Sequence, residues 1–421
     1  MSSLIDRARA LDAADPLAAL RERFALPKGA DGQPLIYFCG HSLGAAPRDA
    51  RHRVTEELDD WERLGVNAHH GGRRPWIDYA GLLVKPLARL AGAREHEVVA
   101  MNSLTVNLHL LMASFYRPRG RRRLIVIEAG AFPSDRHAVL GQLRWHGLDP
   151  ADALIEVAPP PGADLLDLAQ LEKLLAARGE EVALVLWPGV QYRSGQAFDL
   201  ARVARAANAC GAICGLDLAH AIGNVPLALH DCGADFAVWC SYKYLNGGPG
   251  ALGGAFVHER HAASELPRLA GWWGHERATR FAMGPEFHPA FGAAGWQVSN
   301  PPIFSSAPLL ASLALFDSAG MAALRAKSLA MNALLLEQID ANLSAQLQCV
   351  TPRDAAQRGC QLSLRVRAGR DIGRAWFEKL GARGVVLDWR EPDILRIAPV
   401  ALYNRYADIA QFLQQLESLR A

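Results

Sequence analysis

A lysine and an aspartate stand where buried strands should end, and both are residue types that do chemistry. Lys243 lies between two tyrosines in "SYKY", directly after the apolar run "DFAVWC". Asp217 closes the run "AICGLD", and His220 follows three residues later. Two polar stretches, "NSLT" (102–105) and "AFPSD" (131–135), each follow an apolar run and open a helical pattern. Because strands of an open parallel sheet end at one edge, we expect these four groups to share a site.

Taken singly, each group has a structural explanation, such as a helix cap or a paired buried carboxylate. No further ligands cluster beside Asp217 and His220, so the pattern favours no metal site. Together, the four groups match the needs of pyridoxal phosphate. This cofactor takes a lysine for its Schiff base, an acid for its pyridinium nitrogen, a phosphate-binding helix start and a ring to stack on. Lys243, Asp217, "NSLT" and Phe132 provide them in that order.

Short apolar strands alternate with amphipathic helices between about residues 95 and 260, which predicts a mostly parallel sheet sandwiched by helices. A long helical tract is expected from about Leu309 to Ile339, followed by a smaller C-terminal α+β unit. The fold class is therefore α/β. We divide the chain into an N-terminal segment that packs with the small domain (1–45), a large cofactor-binding domain (46–300) and the small domain (301–421).

Charge and cysteine content narrow the class of protein. The 421 residues include 45 Lys plus Arg and 43 Asp plus Glu, a balance that gives no electrostatic argument for nucleic acid or a membrane surface. Charges interrupt the N-terminal "MSSLIDRARALDAADP", which argues against a signal peptide, and no apolar stretch is long enough to span a bilayer. The seven cysteines are scattered, as is typical of free thiols, so we expect a cytoplasmic protein.

Several stretches resemble the kynureninases, a family of pyridoxal-phosphate enzymes with the aspartate-aminotransferase fold (fold type I, class V). The strongest likeness is in "DLAHAIGNVPLALHDCGADFAVWCSYKYLNGGPGALGGAFVHERH". "YFCGHSLGAAPR", "GRRPWIDY", "FPSD", "GWWGH" and "LRIAPVALYN" extend it from about residue 37 to 406. The resemblance implies hydrolytic Cβ–Cγ cleavage of L-kynurenine or 3-hydroxy-L-kynurenine to (3-hydroxy)anthranilate and L-alanine, in tryptophan catabolism. It also implies a homodimer with shared active sites.

The resemblance further implies roles for single residues. Lys243 and Tyr242 are the catalytic pair. The implied cofactor-binding residues are Leu104, Thr105, Phe132, Ser134, Asp135, Asp217, His220, Tyr242, Lys243 and, from the neighbouring subunit, Trp272 and Asn300. The implied substrate-binding residues are His69, Ser299, Asn300 and Arg396, with the Arg396 guanidinium on the α-carboxylate. Pro188 departs from the family, in which we expect a small hydroxyl residue at this position. Proline has no hydroxyl group, so the hydrogen bond that such a residue would make to the cofactor is not expected here.

His69 and Asn300 also predict a substrate preference. The resemblance places His69 at the aromatic ring of the substrate, with Ser299 and Asn300 opposite. Imidazole and carboxamide groups each give or accept a hydrogen bond, so a 3-hydroxyl would find a partner there. We therefore expect activity on 3-hydroxykynurenine at least comparable to that on kynurenine. The alternative is that His69 is a surface residue of the loop "NAHHGG".

Two alternatives stay open on the sequence. "GHSLG" matches the G-x-S-x-G motif of serine hydrolases, with Ser42 as the nucleophile. That motif needs a helix directly after the serine, whereas "AAP" intervenes here, and it needs strands earlier in the chain. Another activity on the same fold, an aminotransferase or a cysteine desulfurase, would share Lys243 and Asp217. A desulfurase needs a cysteine on a mobile loop, and Cys349 and Cys360 are expected in strands instead.

Overall fold

The computed structural model describes residues 3–420. The α-helices are, in chain order, α1 (Leu4–Ala13), α2 (Asp49–Leu64), α3 (Tyr79–Ala91), α4 (Leu104–Phe115), α5 (Pro133–Trp145), α6 (Pro150–Ala153), α7 (Leu168–Arg178), α8 (Leu200–Ala209), α9 (Leu229–Cys232), α10 (Ile303–Ala319), α11 (Met321–Asn342), α12 (Arg370–Ala382) and α13 (Tyr406–Glu417). The strands are β1 (Phe24–Ala25), β2 (Ile36–Tyr37), β3 (Ala46–Pro47), β4 (Val98–Met101), β5 (Leu124–Glu128), β6 (Leu154–Val157), β7 (Val182–Pro188), β8 (Ile213–Asp217), β9 (Phe236–Cys240), β10 (Gly253–Val257), β11 (Leu347–Cys349), β12 (Leu362–Val366), β13 (Val385–Val386), β14 (Asp388–Arg390) and β15 (Ile394–Ile397).

The large sheet has seven strands in the order β4-β10-β9-β8-β7-β5-β6. Only β10 runs against the others, because it pairs antiparallel with both β4 and β9. Every residue of β4, β5, β9 and β10 is buried, as expected for strands covered on both faces. Helices α3, α4 and α8 pack against this sheet. The prediction of an α/β fold with a mostly parallel sheet is confirmed.

A smaller antiparallel sheet, in the order β11-β12-β15-β14, forms near the C-terminus. It lies in a second hydrophobic cluster with residues of α11, α12 and α13. The N-terminal part of the chain joins this cluster through Ala8, Ile36 and Phe38, and α1 packs on α13. β2 pairs in parallel with β13, which ties the chain just before "CGHSLG" to the same unit.

The long helical tract expected near residues 309–339 is two helices, not one. Gly320 ends α10 with a φ of +74°, a backbone conformation that glycine adopts without strain, and α10 and α11 meet at 82°. α10 packs on α2 and α3, whereas α11 packs on α13. The division at residues 45 and 300 stays a prediction. Within residues 3–420 no single helix has the length and apolar character to cross a membrane, and only the bent pair α10 and α11 meets those criteria jointly.

Candidate active site

The carboxyl ends of the central strands bring the predicted polar groups to one edge of the sheet. In the register of β7 and β8, Pro188 lies beside Asp217, the last residue of β8. Asp217 in turn pairs with Val238 of β9, and the chain reaches Lys243 three residues after β9 ends. Glu128 ends β5 on the far side of β7. The sheet topology therefore places the strand ends side by side, as the sequence predicts.

A cavity of about 170 Å³ opens at this edge. It is lined by nine of the eleven residues predicted to bind the cofactor, namely Leu104, Thr105, Phe132, Ser134, Asp135, Asp217, His220, Tyr242 and Lys243. They come from four separate stretches of the chain, and the fold of a single subunit brings them together.

Lys243 is a buried amine held by a neutral histidine. Its side chain is buried, and Nζ lies 3.1 Å from His220 Nε2. Burial lowers the pKa of His220 well below its usual value, and the charges of Lys243 and Arg396 lower it further. The imidazole is therefore neutral and accepts a hydrogen bond from the lysine through Nε2. Lys243 Nζ also lies 5.6 Å from the centre of the Phe132 ring, so the amine and the aromatic face share one space.

Three carboxyl groups line the same cavity. Asp217 Oδ1 accepts the backbone N–H of Ala219 at 2.8 Å. Burial raises the pKa of Asp135 well above its usual value, and the neighbouring Asp217 carboxylate raises it further. Burial also raises the pKa of Glu128 to about 8, with a smaller contribution from the Asp217 charge. Asp217 thus lies near two carboxyl groups, Asp135 and Glu128, whose raised pKa values favour the protonated form.

Two helices begin at the cavity without a side-chain cap. Elsewhere in the large sheet, α7 and α8 begin at Asp167 and Asp199, whose carboxylates accept backbone N–H groups of the first turn. At the cavity, Ser103 before α4 and Phe132 before α5 make no side-chain capping bond within the described chain. The first N–H groups of α4 therefore stay available to an anion, whereas α5 offers fewer, because Pro133 has no N–H and the Asp135 N–H donates to the Phe132 carbonyl at 2.9 Å.

The space at the start of α4 depends on glycine. A Cβ atom on Gly253 would lie 2.7 Å from the Trp239 carbonyl oxygen and 3.2 Å from the Leu104 backbone nitrogen. A Cβ atom on Gly254 would lie 2.4 Å from the fully buried Trp239 indole. Glycine is thus required at both positions of β10, at Gly253 beside the start of α4 and at Gly254 against the Trp239 indole.

These features fit pyridoxal phosphate. The phosphate would meet the uncapped start of α4, where Thr105 Oγ1 lies 2.7 Å from Ser134 Oγ. Phe132, which is 40% exposed, would be covered by the pyridine ring. Asp135 is buried beside Asp217, and because its raised pKa favours the protonated form, it can donate a hydrogen bond to the Asp217 carboxylate. Pro188 lines the cavity with neither a hydroxyl nor an N–H to offer.

Arg396 lies outside the cavity lining, fully buried on β15. Its Nε donates to Asp388 Oδ1 at 3.0 Å, its Nη2 forms an ion-pair contact with the same oxygen at 2.8 Å, and its Nη1 donates to the Tyr192 carbonyl at 2.6 Å. A guanidinium has five N–H donors, so at least two of them have no hydrogen-bond partner among the described residues. Two free N–H groups are what a carboxylate takes in a bidentate contact.

The remaining predicted residues do not reach the cavity within one subunit. Trp272 is 46% exposed, and its indole N–H donates to the Arg280 carbonyl at 2.9 Å. Ser299 and Asn300 are exposed. His69 is half-buried, with its ring edge-to-face against Trp76 at 5.5 Å. Trp272 and Asn300 are predicted to act from the neighbouring subunit, no subunit is predicted for His69 and Ser299, and the roles of all four stay predictions.

The Ser42 motif does not form a nucleophile elbow. Ser42 is exposed and lies in a turn, where its N–H donates to the Cys39 carbonyl at 2.9 Å. The next helix, α2, begins only at Asp49, and the strand before the serine has two residues. A nucleophile elbow requires a strand that leads directly into a helix, with the serine between them. Ser42 does not have this surrounding structure, so the serine hydrolase alternative is wrong.

Three residues at or near the cavity were missed in the sequence. Glu128 lines it and ends an apolar strand, the same signal that identified Asp217. Tyr192 also lines it and packs edge-to-face on Phe132 at 5.3 Å. Tyr192 lies in an irregular loop, so no strand or helix pattern in the sequence pointed to it. Asp388 holds Arg396 across neighbouring strands, a pairing that depends on the register of β14 and β15.

Comparisons with known proteins agree with this geometry. Residues 324–416 match the family model of the kynureninase C-terminal domain. The chain is 59% identical over 414 residues to the kynureninase of Xanthomonas axonopodis pv. citri, covering 98% of each chain. It is also 59% identical over 423 residues to the kynureninase of Xanthomonas euvesicatoria pv. vesicatoria, covering 100% of both.

Solved structures show the same fold at low identity. A C-DES mutant with glycine covalently linked to its PLP cofactor superimposes with a TM-score of 0.77 at 18% identity, over 94% of this chain and 98% of that one. The cysteine desulfurase CsdA of Escherichia coli superimposes with a TM-score of 0.75 at 16% identity, over 96% and 98%. Such identities establish the fold, while the relatives at 59% identity establish the family. The chain belongs to the kynureninase family.

Proposed function

We propose that this enzyme hydrolyses the Cβ–Cγ bond of L-kynurenine and of 3-hydroxy-L-kynurenine, giving (3-hydroxy)anthranilate and L-alanine in tryptophan catabolism. The observation that carries the proposal is the cavity in which Lys243, Asp217 and Phe132 meet the uncapped start of α4. It supports a pyridoxal-phosphate site in a chain that is 59% identical to kynureninases over its whole length.

Lys243 has two tasks in this reaction. Pyridoxal phosphate, when bound, supplies an electron sink next to the substrate α-carbon. Lys243 would hold the cofactor covalently, and its amine, once free, would take the proton from the substrate α-carbon. The neutral His220, 3.1 Å from Nζ, accepts a hydrogen bond from that amine and adds no positive charge beside it. Asp217 provides the carboxylate for the pyridine nitrogen.

Tyr242 is suited to donate a proton during bond cleavage. Burial raises the pKa of its phenol above the usual range, and the neighbouring Cys240 raises it further. The phenol therefore stays protonated at neutral pH and acts as an acid rather than a base. Water adds to the γ-carbonyl, the Cβ–Cγ bond breaks, and protons are required at the γ-oxygen or at Cβ. We assign that transfer to Tyr242, which lines the cavity beside Lys243.

Arg396 is assigned to the α-carboxylate of the substrate. It has at least two N–H groups without a hydrogen-bond partner among the described residues, which match a carboxylate, while Asp388 and the Tyr192 carbonyl hold the guanidinium in place. The same arrangement would hold the carboxylate of the product, L-alanine. A lysine at this position would keep the charge but lose the fork of donors.

The direct test is to mix the purified holoenzyme with L-kynurenine and measure anthranilate and alanine. Equal amounts of the two products are expected. Release of sulfide from cysteine, or formation of a keto acid without anthranilate, would favour the desulfurase or aminotransferase alternatives. Cys349 ends β11, and Cys360 is buried just before β12. Burial raises the pKa of both thiols, that of Cys360 to about 12, so neither resembles a reactive loop cysteine.

We also propose that His69, Ser299 and Asn300 contact the aromatic ring of the substrate and favour 3-hydroxykynurenine. His69 and Asn300 carry hydrogen-bonding groups that a 3-hydroxyl could use. One hydrogen bond contributes modestly, so we expect a preference of roughly severalfold. The test compares kcat/KM for both substrates in the wild type and in a His69→Trp, Asn300→Thr double variant. A strong preference for kynurenine that the double variant leaves unchanged would contradict this assignment.

A cytoplasmic homodimer completes the proposal. Apolar side chains are exposed along residues 269–300, including Leu269 (59%), Phe281 (51%) and Met283 (73%). Large exposed apolar side chains that cluster in this way are typical of interfaces. Trp272 and Asn300 belong to the same stretch, so association through it would bring them to the partner's cavity. All seven cysteines are free, which supports a reducing compartment. Light scattering should show a dimer.

A further inference from the structure

Arg390, on β14, is a second arginine at the carboxylate that orients Arg396. Its Nε lies 3.1 Å from Asp388 Oδ1, and its Nη2 donates to Asp388 Oδ2 at 3.3 Å. Arg396 reaches the same Oδ1 through Nε at 3.0 Å and through Nη2 at 2.8 Å. A single oxygen atom of Asp388 therefore holds the two guanidinium groups next to each other.

The other neighbours of this carboxylate carry no charge. The thiol sulfur of Cys39 and an imidazole nitrogen of His41 lie within 4.8 Å of an Asp388 oxygen. Burial raises the pKa of Cys39 to about 11, and burial lowers the pKa of His41 well below its usual value, so both groups are neutral at neutral pH. Within residues 3–420, neither arginine forms an ion pair with another acidic group. Two guanidinium groups thus share one carboxylate, and one positive charge is left over.

The two arginines lie at different depths beside the cavity. The Arg396 side chain is 1% exposed, whereas that of Arg390 is 38% exposed. The Arg390 guanidinium lies 6.0 Å from the centre of the Tyr192 ring, which lines the cavity. Burial is the main cause that lowers the pKa of His220, and Arg390 is among the charges that lower it further. The charge of Arg390 therefore acts on the cavity from its partly exposed side.

This excess of positive charge has a consequence for Arg396. An isolated pair of Arg396 and Asp388 would be neutral, and a neutral pair attracts a carboxylate only weakly. With Arg390 as a second partner, Asp388 can still orient the Arg396 guanidinium without cancelling its charge. The attraction that remains is directed at an anion, and it adds nothing for a ligand without one.

We propose that Arg390 is a positioning residue for the α-carboxylate of the substrate, because it balances Asp388 and leaves the charge of Arg396 available to that group. The assignment rests on the proposed function, in which Arg396 binds the α-carboxylate. Arg390 acts through Asp388 and through its own charge, and it does not need to touch the substrate. It thereby favours amino acids over simple amines as ligands of the cavity.

The test compares two small probes on the holoenzyme, and the binding of each is followed by the cofactor absorbance. L-Alanine carries the α-carboxylate, whereas ethylamine lacks it. Arg390→Met keeps an apolar stem but removes the charge, so it should weaken L-alanine binding roughly threefold to tenfold, as expected for a partly exposed charge. Ethylamine binding should not weaken. Arg390→Lys keeps the charge and should bind L-alanine nearly as tightly as the wild type.

Salt and a matched variant separate the charge of Arg390 from its packing. The ratio of the L-alanine dissociation constants of Arg390→Met and the wild type should shrink as the ionic strength rises from about 0.01 M to about 1 M, because salt screens a partly exposed charge. Arg374→Met is the matched control. Arg374 is 46% exposed, pairs with Glu378 at 3.1 Å and lies 5.1 Å from the centre of the Phe377 ring. This control should bind both probes like the wild type.

Four outcomes would overturn the assignment of Arg390. They are an unchanged affinity for L-alanine in Arg390→Met, equal weakening of both probes, a loss that lysine does not restore, and a ratio that salt does not change. Kynurenine cleavage by the wild type would still support the proposed function in each case. If Arg390→Met does not fold, Arg390→Gln carries the same expectations. A wild-type holoenzyme that neither cleaves kynurenine nor responds to L-alanine would overturn both proposals.

Discussion

The cavity at the strand ends and the 269–300 stretch differ in how they are built. In the cavity, Lys243, Asp217 and Phe132 come from distant points of the sequence, yet one subunit brings them together. In the 269–300 stretch, Trp272 and Asn300 lie apart from that cavity, and the surrounding side chains are exposed and apolar. One chain thus brings together nine of the eleven predicted cofactor-binding residues in the first region, whereas the second region exposes apolar side chains that a partner could cover.

This difference separates two parts of the proposed function. Binding and activation of the cofactor depend on a sheet edge that each subunit forms alone. Trp272 and Asn300, which we propose to serve the partner's cofactor and, for Asn300, also its substrate, lie in a stretch that we place at an interface. Changes in the cavity should therefore affect every reaction of the cofactor, while changes in the 269–300 stretch should depend on which subunit carries them.

The largest effect is expected for Lys243→Ala. Without the amine there is no covalent attachment of the cofactor and no base for the α-proton, so cleavage should fall by more than about a thousandfold. The absorbance of the lysine-bound cofactor should disappear together with the activity. Lys379→Ala, which removes an exposed lysine on α12, is the matched control. Normal activity of Lys243→Ala would refute the assignment of the whole cavity.

Asp217→Asn should have the next largest effect. A carboxamide keeps the shape but cannot stabilise a protonated pyridine nitrogen as a carboxylate does, since charge-assisted hydrogen bonds are stronger. We expect exchange of the α-hydrogen of L-alanine for deuterium to slow by at least about tenfold. Asp231→Asn, an exposed carboxylate on α9, serves as the control. Wild-type exchange rates in Asp217→Asn would remove Asp217 from this role.

Mixing inactive variants tests the second region. If Trp272 serves the partner's cavity, mixed dimers of Lys243→Ala and Trp272→Ala subunits contain one site with both residues intact. After full exchange of subunits, half of the dimers are mixed, so about a quarter of wild-type activity should return. The activity is measured before and after the subunits are allowed to exchange. No recovery despite confirmed exchange would place both residues in the same subunit's site.

The smallest effect concerns stability. The pKa of Glu128 is raised from 4.5 to about 8, chiefly by burial, so between these pH values the folded protein holds a proton that the unfolded chain has lost. Stability contributed by this group is therefore lost as the pH rises toward 8. Glu128→Gln should raise Tm relative to the wild type by a few degrees at pH 8 and much less at pH 5. A Tm difference that does not change with pH would contradict the raised pKa.

Much of the cavity was predictable because strand ends are visible in the sequence. The apolar runs before Asp217 and Lys243 predict strands, and parallel topology places their ends together. The contact between Asp388 and Arg396 was not predictable, since it depends on the register of two short antiparallel strands. The bend at Gly320 was missed because both helices share one apolar pattern.

The two glycines of β10 also constrain how the sequence of this protein can vary. At Gly254 a methyl group would collide with the Trp239 indole, and at Gly253 with the Trp239 carbonyl. The indole can become smaller, but the carbonyl belongs to the backbone and stays in place. Alanine at position 254 therefore becomes tolerable only after tryptophan 239 has been replaced, and the order of the two substitutions matters. At position 253 no replacement of Trp239 would remove the clash, because the carbonyl is part of the backbone. We therefore expect only glycine at position 253, whereas alanine at position 254 depends on the residue at position 239.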